Sequence, residues 1–172
     1  MSKKDNQAAG RAAKASGDGL EYEIGLICEA YEKQGLAKIH KVDPPTRLVR
    51  QGKKVFGVQL PSPFIDWIGS WTKRGGRLVH LESKNTKEPR LGLLTETGLK
   101  PDQYQKLIDW DRSGATVGVL WGHRGAMKLI SLPTIAHAIE TGDKSLKWRH
   151  HRSCPRGKGF VTWDFLADLD DC

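Results

Sequence analysis

Asp66, Glu82 and Lys84 are three residues whose types and spacing could do chemistry together. They flank "WIGSWTKRGGRLVHL", two apolar-rich segments around the polar "TKRGG". Read as a β-hairpin with Arg74 in the middle of a tight three-residue turn, opposed residues have positions symmetric about 74, so Asp66 faces Glu82. Directly opposed side chains in an antiparallel pair point to one face, with Cβ atoms roughly 4.5–5.5 Å apart. Lys84 shares that face because strand side chains alternate, and Val79 and Leu81 point the other way, into a core. Two opposed carboxylates repel unless positive charge lies between them. A hard divalent cation resolves that repulsion, and Mg²⁺ takes one or two protein carboxylates together with waters and phosphate oxygens. It would acidify a bound water and offset charge on a phosphodiester, with the Lys84 ammonium beside it to orient the hydroxide or stabilise developing charge. The pattern therefore suits metal-assisted phosphodiester hydrolysis. Geometry alone leaves a second reading open, a solvated strand face with an ordinary Glu82–Lys84 ion pair, and a one-residue register slip would undo the first.

The surrounding elements must hold these groups. A helix is predicted from near Asp18, where Leu20, Ile24, Ile27 and Tyr31 recur at helical spacing and Gly35 follows as a stop. "AKIHKV" (37–42) reads as a short strand. Prolines bracket a segment at about 43–62 that carries Arg47, Arg50, Lys53 and Lys54 around Gly52, a projecting basic hairpin or arm. Residues 85–100 read as a Gly- and Thr-rich connection. Pro101 opens a helix with Tyr104, Leu107 and Ile108 on its apolar face. "ATVGVLW" and "AMKLISL" form a hairpin around "GHRG", whose His123 is expected to be exposed, and "PTIAHAIETG" is a short helix. The predicted class is α/β, a central mixed β-sheet flanked by helices. Residues 1–17 are expected to be a mobile basic tail, and 18–172 a single domain with a basic C-terminal extension from about 144.

With 172 residues, 38% hydrophobic and 28% charged, the chain suits one soluble domain with its own core. No apolar run approaches the roughly 18 residues of a membrane span, and the N-terminus has no apolar signal region. Cys28, Cys154 and Cys172 are odd in number and scattered, which reads as reduced thiols in a cytoplasmic protein. The formal charge of +8 favours a polyanionic partner over a small neutral substrate. No Ser-His-Asp or Cys-His constellation and no Walker-type phosphate loop stands in the sequence. "HHRSC" (150–154) has no second cluster at zinc spacing.

Asp66 followed after a hairpin by Glu82-Ser83-Lys84 resembles the PD-(D/E)xK nuclease signature, with Ile65 where the motif has proline. The order Gly17 to Glu21, Tyr31, "AKIHK", "DPP" (43–45), Asp66, Glu82, Lys84 and Gln103 resembles RecU-like and phage-type Holliday junction resolvases over about residues 17–135. That resemblance implies a restriction-endonuclease-like core. It also implies an Mg²⁺-dependent homodimeric endodeoxyribonuclease (Mn²⁺ substituting) that resolves four-way DNA junctions by paired symmetric nicks. A nuclease of this fold acting on flaps or ends, or a non-catalytic DNA-binding module, are the alternatives. No small-molecule cofactor and no membrane partner is expected, and the compact size suits a phage enzyme.

Site residues follow. Asp66, Glu82 and the Ser83 backbone carbonyl would hold the metal. Glu21 and Glu23 flank the apolar stripe of the first helix equally, and geometry does not choose between them. The resemblance favours Glu21, as a direct or water-mediated ligand. It also suggests that Gln103 contacts the attacking water or the scissile phosphate. Neighbouring Asp102 is equally explained by the helix dipole. Arg47, Arg50, Lys53, Lys54, Lys73, Arg74, Lys147, Arg149 and Arg152 are candidate DNA contacts. Trp148 either stacks on a base or anchors the tail to the core. Trp67, Trp71, Trp110 and Trp121 read as packing residues.

Overall fold

The apolar stripe at Leu20, Ile24, Ile27 and Tyr31 forms one face of helix α1 (19–33), and all four residues are buried. Gly35, at φ +67°, ends the turn beyond it. This computed structural model describes residues 19–60, 65–155 and 163–169. The expected tail 1–17, with Gly17, lies outside the described residues, as do the end of the arm at 61–62 and parts of the C-terminal extension.

Strand β1 (Lys38–Lys41) is followed by β2 (Thr46–Gln51) and β3 (Lys54–Gln59), which pair only with each other. Their register, Gln51 opposite Lys54, makes a two-residue turn of Gly52 and Lys53, so the basic arm is a hairpin. Next come β4 (Trp67–Trp71), a 3₁₀ turn (Thr72–Arg74), β5 (Arg77–Asn85), β6 (Arg90–Gly92), α2 (Pro101–Arg112), β7 (Thr116–His123) and β8 (Ala126–Ser131). α3 (Leu132–Glu140), β9 (Ser145–Lys147), a second 3₁₀ turn (Trp148–His150) and α4 (Phe165–Leu169) complete the order.

The class is mixed α/β, with a central five-stranded sheet in the order β1-β4-β5-β7-β8, flanked by helices. Only β5 and β7 pair in parallel, and α2 supplies the crossover between them. β5 shows why the sheet needs cover on both faces. Val79 and Leu81 sit with α1 and α4 residues in one core cluster. His80 and Glu82 face the other side, where Leu107 of α2 and Ile135 of α3 join Val119 and Trp121 in a second cluster. There His80 stacks on Trp110, with ring centroids 4.0 Å apart.

β1 packs closely on β4 because Gly69 has no side chain: a Cβ there would lie 2.0 Å from the Lys38 carbonyl oxygen and 2.6 Å from Ile39 Cα. Gly69→Ala is therefore expected to cost about 1–3 kcal/mol, the range for overpacking, as a lowered urea midpoint with unchanged slope. Stability equal to wild type would contradict the close pairing.

Three expectations differ from the fold, and Trp148 takes one of its two readings. The β4–β5 connection spans 72–76 and includes a 3₁₀ turn, longer than the tight turn read from sequence; it stays centred on Arg74, so the register survives. The 85–100 segment contains β6, which pairs with β9 from the segment read only as basic; strands this short carry no periodicity. His123 is buried, not exposed, because the β7–β8 turn is only Arg124 and Gly125 and Trp148 covers the imidazole. Trp148 packs edge-on against Trp121 at 4.9 Å, which is the anchoring role.

Candidate active site

The β4–β5 register runs Trp67 opposite Leu81 and Ile68 opposite His80, and continued by one residue it places Asp66 across from Glu82. Asp66 immediately precedes β4, and β5 fixes it. Its Oδ2 accepts the Ser83 backbone N–H at 2.9 Å and the Ser83 hydroxyl at 2.7 Å. Ser83, expected to offer its carbonyl, thus contributes two donors that aim the Asp66 carboxylate. Glu82 is 1% exposed. Its Oε1 accepts the Lys84 ammonium at 2.9 Å and a short hydrogen bond from the Gln103 amide. Gln103 is the third residue of α2, behind Pro101, and its Oε1 accepts the Lys100 N–H at 3.1 Å. One side chain therefore caps α2 and ties it to Glu82.

Burial, then the neighbouring Asp66 charge, pushes the Glu82 carboxyl up to about 7, against the opposing pull of Lys84 and Lys106. A buried acid beside a second carboxylate is electrostatically unsatisfied, and a hard cation on their shared face would relieve it. Among the described residues no group of three or more His, Cys, Asp or Glu side chains is placed to hold a metal ion. The Asp66–Glu82 pair still offers what Mg²⁺ takes from protein, one or two carboxylates, so the residues present fit that ion.

Glu21 stands apart from the pair. α1 covers the opposite face of the sheet, and Glu21 Oε2 accepts the Lys41 ammonium at 2.7 Å. Lys41 lies opposite Trp67, one residue from Asp66. The Glu21 hydrogen bond, opposed by burial and assisted by the charges of Glu21, Asp43 and Asp66, raises the Lys41 ammonium above the usual lysine range. Glu21 thus reaches the margin of the site through Lys41. Of the two helix acids that spacing left open, Glu21 is the one in this ion pair.

Arg47, Arg50, Lys53 and Lys54 are exposed on the β2–β3 hairpin. Lys73 and Arg74, grouped with the site on sequence, stand at the far end of β4, about 17 Å from Asp66 at 3.3 Å per strand residue. There Arg74 lies over the Trp71 ring at 5.7 Å. Lys147 ends β9 and Arg149 lies in the following 3₁₀ turn, with Arg152 just beyond.

Two contributors were missed from sequence. Lys106 lies one helical turn past Gln103, pairs with Asp102 at 3.5 Å and acts on Glu82; the i, i+3 spacing from Gln103 was its signal. Thr86 clamps the strand end beyond Lys84. Its hydroxyl accepts the Trp121 indole N–H at 2.7 Å, its N–H donates to the Gly122 carbonyl at 3.0 Å, and its own carbonyl lies 2.9 Å from His123 Nδ1. That clamp depends on the β5–β7 register, and no local pattern announces it.

No family model matches the chain, and no curated protein matches it. Among solved structures it is similar to Hjc, a Holliday junction resolvase from the archaeal hyperthermophile Archaeoglobus fulgidus. Identity is 22% over 66% of this chain and 77% of that one, with a TM-score of 0.41. It is also similar to the protein SSO0001, with 15% identity over 80% of this chain and 66% of that one and a TM-score of 0.29.

Proposed function

We propose that this protein is a Mg²⁺-dependent, structure-selective endodeoxyribonuclease that resolves four-way DNA junctions, with Mn²⁺ able to substitute. The observation that carries the reading is the convergence of Asp66, buried Glu82 and the Lys84 ammonium on one sheet face, with Gln103 closing over them. Asp66 and Glu82 would hold the metal. When bound, it would supply an activated water and charge neutralisation on the scissile phosphate. Ser83 keeps Asp66 aimed. Lys84, only 18% exposed, holds a positive charge where the leaving and attacking oxygens gather charge. Gln103 offers an amide to the attacking water or a phosphate oxygen, and Lys106 adds a second cation from α2.

The substrate class rests on charge and shape. The formal charge is +8, and the β2–β3 hairpin exposes Leu48, Val55 and Phe56 among its four cations. Basic groups suit phosphates, and exposed apolar groups suit bases unstacked at a branch point. A homodimer presenting two such centres would match a two-fold substrate and nick paired strands, leaving 5′-phosphates. The site of action would be the cytoplasm.

Cleavage of matched four-way junction, flap and linear duplex in Mg²⁺ tests the substrate. The junction is expected to be cut fastest; equal rates on all three would remove the junction reading and leave a general nuclease. Junction affinity is also expected to fall by about 10³ or more between 50 and 200 mM salt, the behaviour of six or more phosphate contacts. Affinity unchanged by salt would contradict phosphate-led binding.

A further inference from the structure

Lys84, Trp121 and Lys128 lie side by side across β5, β7 and β8 on the sheet face that carries Glu82. Lys128 is 3% exposed, and the 3₁₀ turn at 148–150 closes over it. Its ammonium donates short hydrogen bonds to the Trp148 and His151 carbonyls and lies 4.2 Å from the Trp148 ring centroid. Among the described residues no carboxylate pairs with it. A buried cation with neutral acceptors alone leaves positive charge uncompensated beneath that turn.

A cavity of about 250 Å³ lies between α3 and the 145–151 segment. His137 of α3, His150, His151 and Lys147 line it, and Asp143 is the acid on its wall. Thr134 and Ser145 add hydroxyls. Arg149 Nε donates to His150 Nε2 at 3.1 Å, which brings a guanidinium to the rim. The cavity thus gathers cations and neutral donors, and His151 on its wall ties it to the uncompensated Lys128 ammonium, a combination that suits a compact anion with several acceptor oxygens.

We propose that this cavity seats a phosphate group and that, in the DNA complex, it holds a backbone phosphodiester of an arm on the same side of the molecule as Glu82, away from the scissile bond. The DNA half of this inference rests on the function proposed above; the phosphate half does not. Burial first, then the Lys128 and His150 charges, holds His151 below the usual histidine range. An anion in the cavity opposes those charges and favours the imidazolium. The groups facing His151 are Lys128 from β8, His137 from α3, Asp143 from the turn, Lys147 from β9 and neighbouring His150.

The test is a histidine-ring NMR titration of the whole protein in inorganic phosphate against chloride at equal ionic strength. His151 is expected to titrate about half a pH unit or more higher in phosphate, the sign of anion binding to the charged form. Thr134→Glu places a carboxylate in the cavity at the third residue of α3, where an acid supports the helix against Ser131. It is expected to melt no lower than wild type, to abolish the phosphate effect, and to weaken junction binding about three- to tenfold. An identical His151 titration in both salts, or a phosphate effect that survives Thr134→Glu, overturns the seat. Lost phosphate binding with unchanged junction affinity overturns its assignment to DNA. Wild type that binds no junction would instead remove the proposed function, and the phosphate titration would still be readable.

Discussion

Glu82→Gln is expected to lower junction cleavage at least about a hundredfold while the protein still binds the junction. The substitution keeps the shape of a side chain that is 1% exposed, and it removes the charge that faces Asp66 and Lys84. A neutral amide beside Asp66 halves the negative charge available to a divalent cation. Lys84→Ala is expected to fall as far by a different route. It leaves both carboxylates in place and removes the cation 2.9 Å from Glu82. Neither residue lies on the β2–β3 arm, so gel-shift affinity in EDTA is expected to stay within about threefold of wild type, the size of one exposed ion pair. Single-turnover cleavage in Mg²⁺ measures the loss. Unchanged cutting in either variant would reduce Asp66, Glu82 and Lys84 to structural charges.

The same Glu82→Gln variant is expected to stabilise the metal-free protein at neutral pH. In the fold the Glu82 carboxyl is pushed from 4.5 to about 7, chiefly by burial. Between those values the unfolded chain has released a proton that the folded protein keeps. Wild-type stability therefore falls as pH rises through that window and levels off above it. The full penalty is on the order of 3 kcal/mol, trimmed in the variant because Lys84 loses its counter-charge. Urea midpoints in EDTA are expected to show little difference near pH 5 and a clear advantage for Glu82→Gln by pH 8. Mg²⁺ is then expected to restore wild type and leave the variant unmoved. A difference that stays constant with pH would contradict the buried ionisation.

The two positions at the centre of this site were readable because a hairpin is symmetric. Counting outward from Arg74 pairs Asp66 with Glu82 whether the loop is tight or, as found, carries a 3₁₀ turn. Pro101 and the apolar spacing of Tyr104, Leu107 and Ile108 likewise fixed α2, and with it Gln103. What could not be read depends on contacts between distant segments. Tyr31 matched a family position, yet here its hydroxyl donates to Asp164 at 2.8 Å and its ring meets Phe165 edge-on at 5.2 Å. It pins α4 over α1, a pairing no local period encodes. Lys73 and Arg74 read as phosphate contacts beside the acids because they are near them in sequence, but strand β4 separates them from Asp66 in space. Nothing local to β8 announces that Lys128 is buried beneath Trp148.

The most direct measurement is cleavage of a synthetic four-way junction by wild-type protein in Mg²⁺, in EDTA, and in EDTA followed by excess Mg²⁺. Paired nicks in Mg²⁺, none in EDTA and full recovery on adding the metal back are the expected result. Cleavage that persists in EDTA, or no cleavage of a junction that the protein demonstrably binds, would contradict it.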